Sequence, residues 1–339
     1  MKKGWKRVPF LVSLFFLLGI VAFSFLSAYV LKDHIHVPTT LLRDENGKMI
    51  KTLPFPPSWE YPFGVDRFGN NIFWSVIDGA RYTILIGLIV SILRVGLGVC
   101  FGIIYGIYLK KMQTFFTTFE RAFRFIPAIL LVMLYFDVNL FSDATNGFSY
   151  IVSIIFWLTI VALPSLTQAV GNEINHFSKE DFITASKLMG ATKFQIICKQ
   201  IMPFLRSRIL LMIVQQMISI LLLLVHLAVF RVFVGGSTTV QLDSVNSVSL
   251  PNTNEWSALI GFSYQELMLN QWIVFGPSIA FIITLLACNV MKRMLEGAEV
   301  NVVIPKTMQT TMEEIQKVKK SDFTFVEAVV RNKNIKEFH

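Results

Sequence analysis

The chain has 339 residues, of which 54% are hydrophobic and only 16% charged, with a formal net charge of +9. Those figures and a mean hydropathy of +0.58 exclude an ordinary soluble domain, where about a quarter of residues are charged, and a disordered chain. Three widely spaced cysteines, Cys100, Cys198 and Cys288, exclude a disulfide scaffold and form no CxxC metal pair.

The apolar residues come in long blocks, and a membrane-crossing helix needs about 20 of them. The first block, Val8 to Leu31, follows Lys2, Lys3, Lys6 and Arg7. It is longer than the core of a cleaved secretory signal and reads as an uncleaved signal-anchor helix. Five more blocks follow: Ile84 to Leu109, Phe123 to Val138, Phe148 to Val170, Ile209 to Val234 and Trp272 to Met291. Pro127 and Pro164 sit in or beside these blocks, which membrane helices tolerate when neighbours satisfy the freed carbonyls. The expectation is an all-α polytopic membrane protein with six transmembrane helices. It divides into a first segment 1–31, an outer loop 32–83, a five-helix core 84–294 with a cytoplasmic loop 171–208, and a cytoplasmic tail 295–339.

Lys and Arg set the orientation. With the N-terminus inside, the inner segments hold Lys2, Lys3, Lys6, Arg7, Lys110, Lys111, Arg121, Lys179, Lys187, Lys193, Lys199, Arg206 and Arg208. The outer segment 32–83 holds Lys32, Arg43, Lys48, Lys51, Arg67 and Arg81, offset by Asp33, Asp44, Glu45, Glu60, Asp66 and Asp78, and the outer segments 137–147 and 235–271 hold none. Both termini are therefore expected in the cytoplasm of a cell-membrane protein. The positive charge is a topology signal, and no basic face for nucleic acid is evident. In the outer loop, Pro54 to Trp59 cannot form a regular helix and suits an interfacial anchor as well as a substrate contact. The polar 235–271 stretch suits a small cap over the outer mouth. In the tail, Met312, Ile315, Val318, Phe323, Phe325, Val326 and Val329 leave a partly amphipathic pattern, fitting either a surface helix or a solvated end.

Several chemistries are missing. No phosphate-cradling G-x-x-x-x-G-K-[ST] occurs, nor H-E-x-x-H, nor G-x-S-x-G. His34 and His36, two apart in the outer loop, do not share a helical face, and no metal site is assigned. Ionisable residues within the spans are few. Arg94 and His226 are candidate pathway residues, with Gln215 and Gln216 as polar neighbours. Such groups inside a bilayer must face the bundle interior or find partners. Gly98, Gly102 and Gly106 repeat every four residues, a small-residue face suited to close helix packing.

The segment between the fourth and fifth blocks is the most informative. Ser178 is placed to cap a helix with Glu180 and Asp181 in its first turn. Phe182, Ala185, Leu188 and Met189 recur at helical spacing, and Gly190 ends the helix. Phe194, Ile197 and Ile201 mark a second stretch before Pro203. The pattern fits either a helix offered to another protein or a hairpin packed on its own bundle.

Here the sequence resembles a known family. Thr184-Ala185-Ser186-x3-Gly190-x9-Gln200-Ile201-Met202-Pro203 is similar to the "E-A-A-x3-G-x9-I-x-L-P" loop of ABC importer permeases. Thr184, Ser186, Gln200 and Met202 depart from it; the Ala, the Gly, the spacing and the Pro stand. Before the second block, Phe63-Gly64-Val65-Asp66-Arg67-Phe68-Gly69-Asn70-Asn71, then Asp78-Gly79-Ala80-Arg81, is similar to "L-G-T-D-x-x-G-R-D … Y-G-A-R" of the second permease subunit of oligopeptide/dipeptide importers. Asn70-Asn71 replaces Arg-Asp. The resemblance covers about residues 1–295. It implies a type I ABC importer permease fold with a long first outer loop. It also implies a heterodimer with a second permease subunit, two ABC ATPase subunits that use ATP and Mg, and an extracytoplasmic substrate-binding protein. This chain would be a transporter subunit with no cofactor of its own, no catalytic residues and no ATPase site. Phe182, Ala185, Ser186, Leu188, Met189, Gly190 and Ala191 would then couple it to an ATPase. The same family with nickel-chelate or another small solute as cargo is an alternative. So is a standalone ion-coupled carrier, or a degenerate permease acting as sensor or accessory.

Overall fold

A computed structural model describes residues 8–30, 53–108, 113–139, 147–241 and 247–303. The chain divides into two units, residues 1–293 and 294–339. His34, His36, the tail pattern from Met312 to Val329, and Lys110 and Lys111 lie outside the described residues.

Helix α1, Val8–Val30, is apolar throughout. Its buried residues are Ser13, Leu17, Ser24 and Ser27, while Leu11, Val12, Phe15, Phe16 and Leu18 are exposed. This inverts a soluble helix: the small polar side chains face the protein and the apolar ones face outward, as lipid requires. Ser24 meets α2, Ile72–Tyr108. Ser24 Oγ donates to the Asp78 carbonyl at 3.1 Å, and the Arg81 amide donates to Ser24 Oγ at 3.3 Å.

α2 begins twelve residues before the expected Ile84, so the end of the supposed outer loop is helical. Its early charges hid it: Asp78 and Arg81 interrupt the apolar run but pair with each other at 2.7 Å. Asn71 caps the helix, its Oδ1 accepting from the Phe73 amide at 3.1 Å. Asn70 donates to Asp66 Oδ2 at 3.0 Å, closing the preceding turn. In the Pro54–Trp59 stretch Phe55 is buried, whereas Trp59 is fully exposed.

The expected third span, Phe123 to Val138, is broken at Phe125–Pro127: its first two residues end α3 (Gln113–Arg124), most of which falls in the expected inner segment 110–122, and the remainder is α4 (Ala128–Asn139). Twelve residues of helix reach about 18 Å, short of a hydrocarbon core of about 30 Å, so a sixth spanning helix is not established. The expected fourth span is a bent pair, α5 (Gly147–Ile160) and α6 (Leu163–Phe177), with a bend of 42°. Pro164 falls in the first turn of α6, where its missing N–H does no harm. Four described helices are long and apolar enough to cross a membrane, and the bent pair makes up to five. The chain is a multi-pass, helical membrane protein.

α7 (Asp181–Leu188) and the single turn α8 (Lys193–Ile196) lead through a π-helical turn at Ile197–Ile201 into α9, Met202–Val229. Beyond α9, an antiparallel hairpin pairs β1 (Ser237–Gln241) with β2 (Ser247–Pro251), Thr239 opposite Ser249. α10 (Trp256–Ser263) is seated on α2: the Trp256 amide donates to Thr83 Oγ1 at 2.9 Å and its indole to the Val76 carbonyl at 2.7 Å. The last helix, α11, runs Trp272–Val303.

The core has two main apolar clusters. One joins Val90, Phe136, Leu158, Ile220 and Leu224. The other joins Val95, Val170, Ile174, Ile183, Ile201 and Leu205. Between α2 and α6 the packing is backbone-close. A Cβ on Gly98 would lie 2.9 Å from Leu166 Cβ, one on Gly102 2.6 Å from Val170 Cβ, and one on Gly106 3.1 Å from the Gly171 carbonyl. The three glycines therefore pack within this chain, against α6.

Candidate functional site

The segment from Asp181 to Ala191 is built by local rules and held by three anchors. Helix α7 ends at Met189. Gly190 then adopts φ +87°, a conformation that side chains with a Cβ rarely tolerate. The Ala191 amide bonds the Ser186 carbonyl at 3.0 Å and the Gly190 amide bonds the Lys187 carbonyl at 3.0 Å, which is a Schellman cap. The next turn opens with a capping box. Gln195 N–H donates to Thr192 Oγ1 at 3.3 Å, and Thr192 N–H donates to Gln195 Oε1 at 3.0 Å. The sequence signal, Thr-x-x-Gln, was present and points to a helix start there.

Ser178 does not cap α7. It closes α6, with its hydroxyl donating to the Ile174 carbonyl at 2.7 Å. The N-cap position of α7 is Glu180, which makes no side-chain cap. The helix is anchored by Lys187 Nζ on the Ser178 carbonyl at 3.1 Å, by Ile183 and by Ser186. Ile183 is 0% exposed among Val95, Ile174 and Leu205. Ser186 is buried, donates to the Phe182 carbonyl at 2.9 Å and accepts from Gln200 Nε2 at 2.6 Å.

With Ile183 and Ser186 turned inward, the opposite face is open. Leu188 is 85% exposed, Met189 81% and Phe182 44%. Ala185 and Gly190 are exposed beside them and Ala191 is half-buried. A Cβ placed on Gly190 would meet nothing within 4 Å. Water is a poor solvent for this surface, and large apolar side chains exposed together on an anchored helix are the pattern of a protein or membrane contact surface.

The candidate pathway residues do not form one group. Arg94, 2% exposed, donates through Nε to the Leu158 carbonyl at 2.8 Å and through Nη1 to Gln216 Oε1 at 3.1 Å. Leu158 lies just before the break in the fourth span. There Ala162 N–H turns to the Thr159 carbonyl, so Arg94 satisfies an acceptor the bend leaves open. Gln215, next to Gln216, is half-buried. His226 is exposed, with Nδ1 2.6 Å from the Leu222 carbonyl, about 15 Å along α9 from Gln216.

No protein-family model matches the chain. Named proteins do. A Brucella suis protein provisionally named as a peptide transport system permease protein is 24% identical over 286 residues, 84% of this chain and 85% of its own. The dipeptide transport system permease protein DppC of Haemophilus influenzae is 23% identical over 287 residues, 83% and 86% of the two chains. The di/tripeptide transport system permease protein DppC of Pseudomonas aeruginosa is 24% identical over 246 residues, 70% and 72%. The chain is a homologue of bacterial peptide-transport permease proteins.

Proposed function

We propose that this chain is the permease subunit of an ATP-driven peptide importer, and that α7 is the part a partner ATPase grips. The observation that carries the reading is the division of α7 into two faces. Ile183 and Ser186 bind it to the bundle, while Ala185, Leu188 and Met189 are exposed on the other side. A force applied to the open face reaches the core through Ile183, whose neighbours come from α2, α6 and α9. The relatives' names support peptide as the cargo class. On this reading both termini are cytoplasmic and a second permease completes the pathway. Two ATPases supply the energy from ATP and Mg, and an external binding protein delivers the peptide. Arg94 and Gln216 tie the spans together, and Gln215 and His226 are the remaining polar candidates along α9.

The test replaces Leu188 and Met189 by Asp in the assembled transporter. Loss of one well-buried apolar anchor commonly weakens an interface by 2 kcal/mol or more, so co-purification of the ATPases and uptake of labelled peptide should each fall by more than about tenfold. The amount of the chain in the membrane should stay near wild type. Unchanged ATPase retention and unchanged uptake would overturn the assignment.

A further inference from the structure

At the end of the bundle where α1 finishes and α2 begins lies a cavity of about 650 Å³ between α1, α2 and α5. Its walls change character along α2. At the boundary end stand Asp78, Arg81, Tyr82, Phe25 and Tyr29. One to two turns deeper along α2 the lining is Leu85 and Ile86, with Ile151 opposite from α5. The polar end is organised. Arg81 pairs with Asp78 at 2.7 Å, donates to Tyr82 Oη at 3.0 Å, and lies 4.7 Å from the Tyr82 ring centroid and 5.9 Å from that of Phe25. Asp78 also accepts from Asn254 Nδ2 at 3.1 Å. Tyr29 stacks on Phe25 at 6.4 Å and is 81% exposed.

We propose that this cavity holds one zwitterionic phospholipid, with the headgroup at Arg81 and Asp78 and the start of an acyl chain along Leu85, Ile86 and Ile151. Three features select this occupant. A single Arg and a single Asp give the polar end no net charge, which suits a headgroup carrying both a phosphate and an ammonium better than a net anion. The Arg81 guanidinium uses Nη2 on Asp78 and Tyr82 and one Nη1 donor on the Ser24 carbonyl at 3.5 Å, which leaves Nε and the second Nη1 donor for a phosphate, and the exposed ring of Tyr29 offers a face to an ammonium. The polar-to-apolar gradient matches the order of chemical groups in a lipid, and aromatic residues concentrate where headgroups lie. On the membrane reading the cavity would open to lipid beside α1, most of whose apolar side chains are exposed. The proposal rests on the chain crossing a membrane and not on what it transports, so failure of the transport reading leaves it intact.

The test is native mass spectrometry of the full chain in its complex, delipidated and then titrated with phosphatidylethanolamine or with phosphatidylglycerol. Wild type should keep one phosphatidylethanolamine in preference to phosphatidylglycerol. Ala28→Trp, which fills the cavity from α1 without touching a charge, should lower that occupancy by about tenfold, as should Arg81→Gln through the lost charge-assisted bonds. Because Arg81 also holds Asp78, a misfolded Arg81→Gln protein leaves Ala28→Trp as the deciding variant. Equal retention of the two lipids by wild type, or wild-type retention by Ala28→Trp, would overturn the proposal.

Discussion

Gln200 Nε2 donates to Ser186 Oγ at 2.6 Å, and these two residues stand at positions where the resembled motif carries Ile and Ala. Gln200 would be costly here without Ser186, because its amide would lose its acceptor, whereas Ser186 has a partner of its own in the Phe182 carbonyl. The departures from the motif are therefore coupled, and together they preserve the seat of α7.

Ser186→Ala should destabilise the protein by about 1–2 kcal/mol, because it strands the Gln200 amide. Gln200→Ile should be close to neutral. Ser186 still donates to the Phe182 carbonyl, and Gln200 Oε1 is a buried acceptor without a partner already. The double variant should recover most of the loss. Thermal unfolding of the four proteins in detergent measures the coupling; additive single effects would contradict it.

The glycine face of α2 predicts a sharp contrast between neighbours. Gly102→Ala places a Cβ 2.6 Å from Val170 and should destabilise by about 1–3 kcal/mol through overpacking. Gly96→Ala, whose Cβ meets nothing within 4 Å, should be neutral or stabilising by up to about 1 kcal/mol. Melting temperatures of the two variants decide the matter, and equal effects would show that the α2–α6 contact is looser than described.

Glu255 gives the protein a pH dependence. Its carboxyl is buried, receives the Val234 amide at 2.8 Å, and is pushed up from the usual carboxylate range to about 7 by burial. The folded state therefore holds the proton more tightly than the unfolded chain does. Stability from this group is fully present below about pH 4.5 and declines as pH rises toward 7, by about 3 kcal/mol in all. Glu255→Gln should flatten that decline, seen as melting temperatures at pH 5 and pH 8 that differ less than in wild type.

The sequence revealed the apolar helices and the position of α7, because both leave periodic side-chain patterns. Asp78 and Arg81 concealed the start of α2, since a window of hydropathy cannot see that two charges three residues apart neutralise each other. The third apolar block was begun too early, because Phe123, Phe125 and Ile126 are apolar enough to join it although Phe123 and Arg124 close α3 and α4 starts only after Pro127. The environment of Arg94 was illegible for a different reason: its main partner is the backbone of Leu158, and no sequence pattern marks a carbonyl released by a bend. Ser178 was assigned to the wrong helix because its hydroxyl serves the end of one helix as readily as the start of the next.

The interlock between Gly98, Gly102 and Gly106 and the ridge of Leu166, Val170 and Ile174 has a mechanical consequence. Sliding α2 along α6 would drive side chains into bare backbone within an ångström or so, and the two helices must travel as a single stiff beam. Any rearrangement of the bundle is then forced onto its compliant points, the kink at 160–163 and the interruption at Phe125–Pro127.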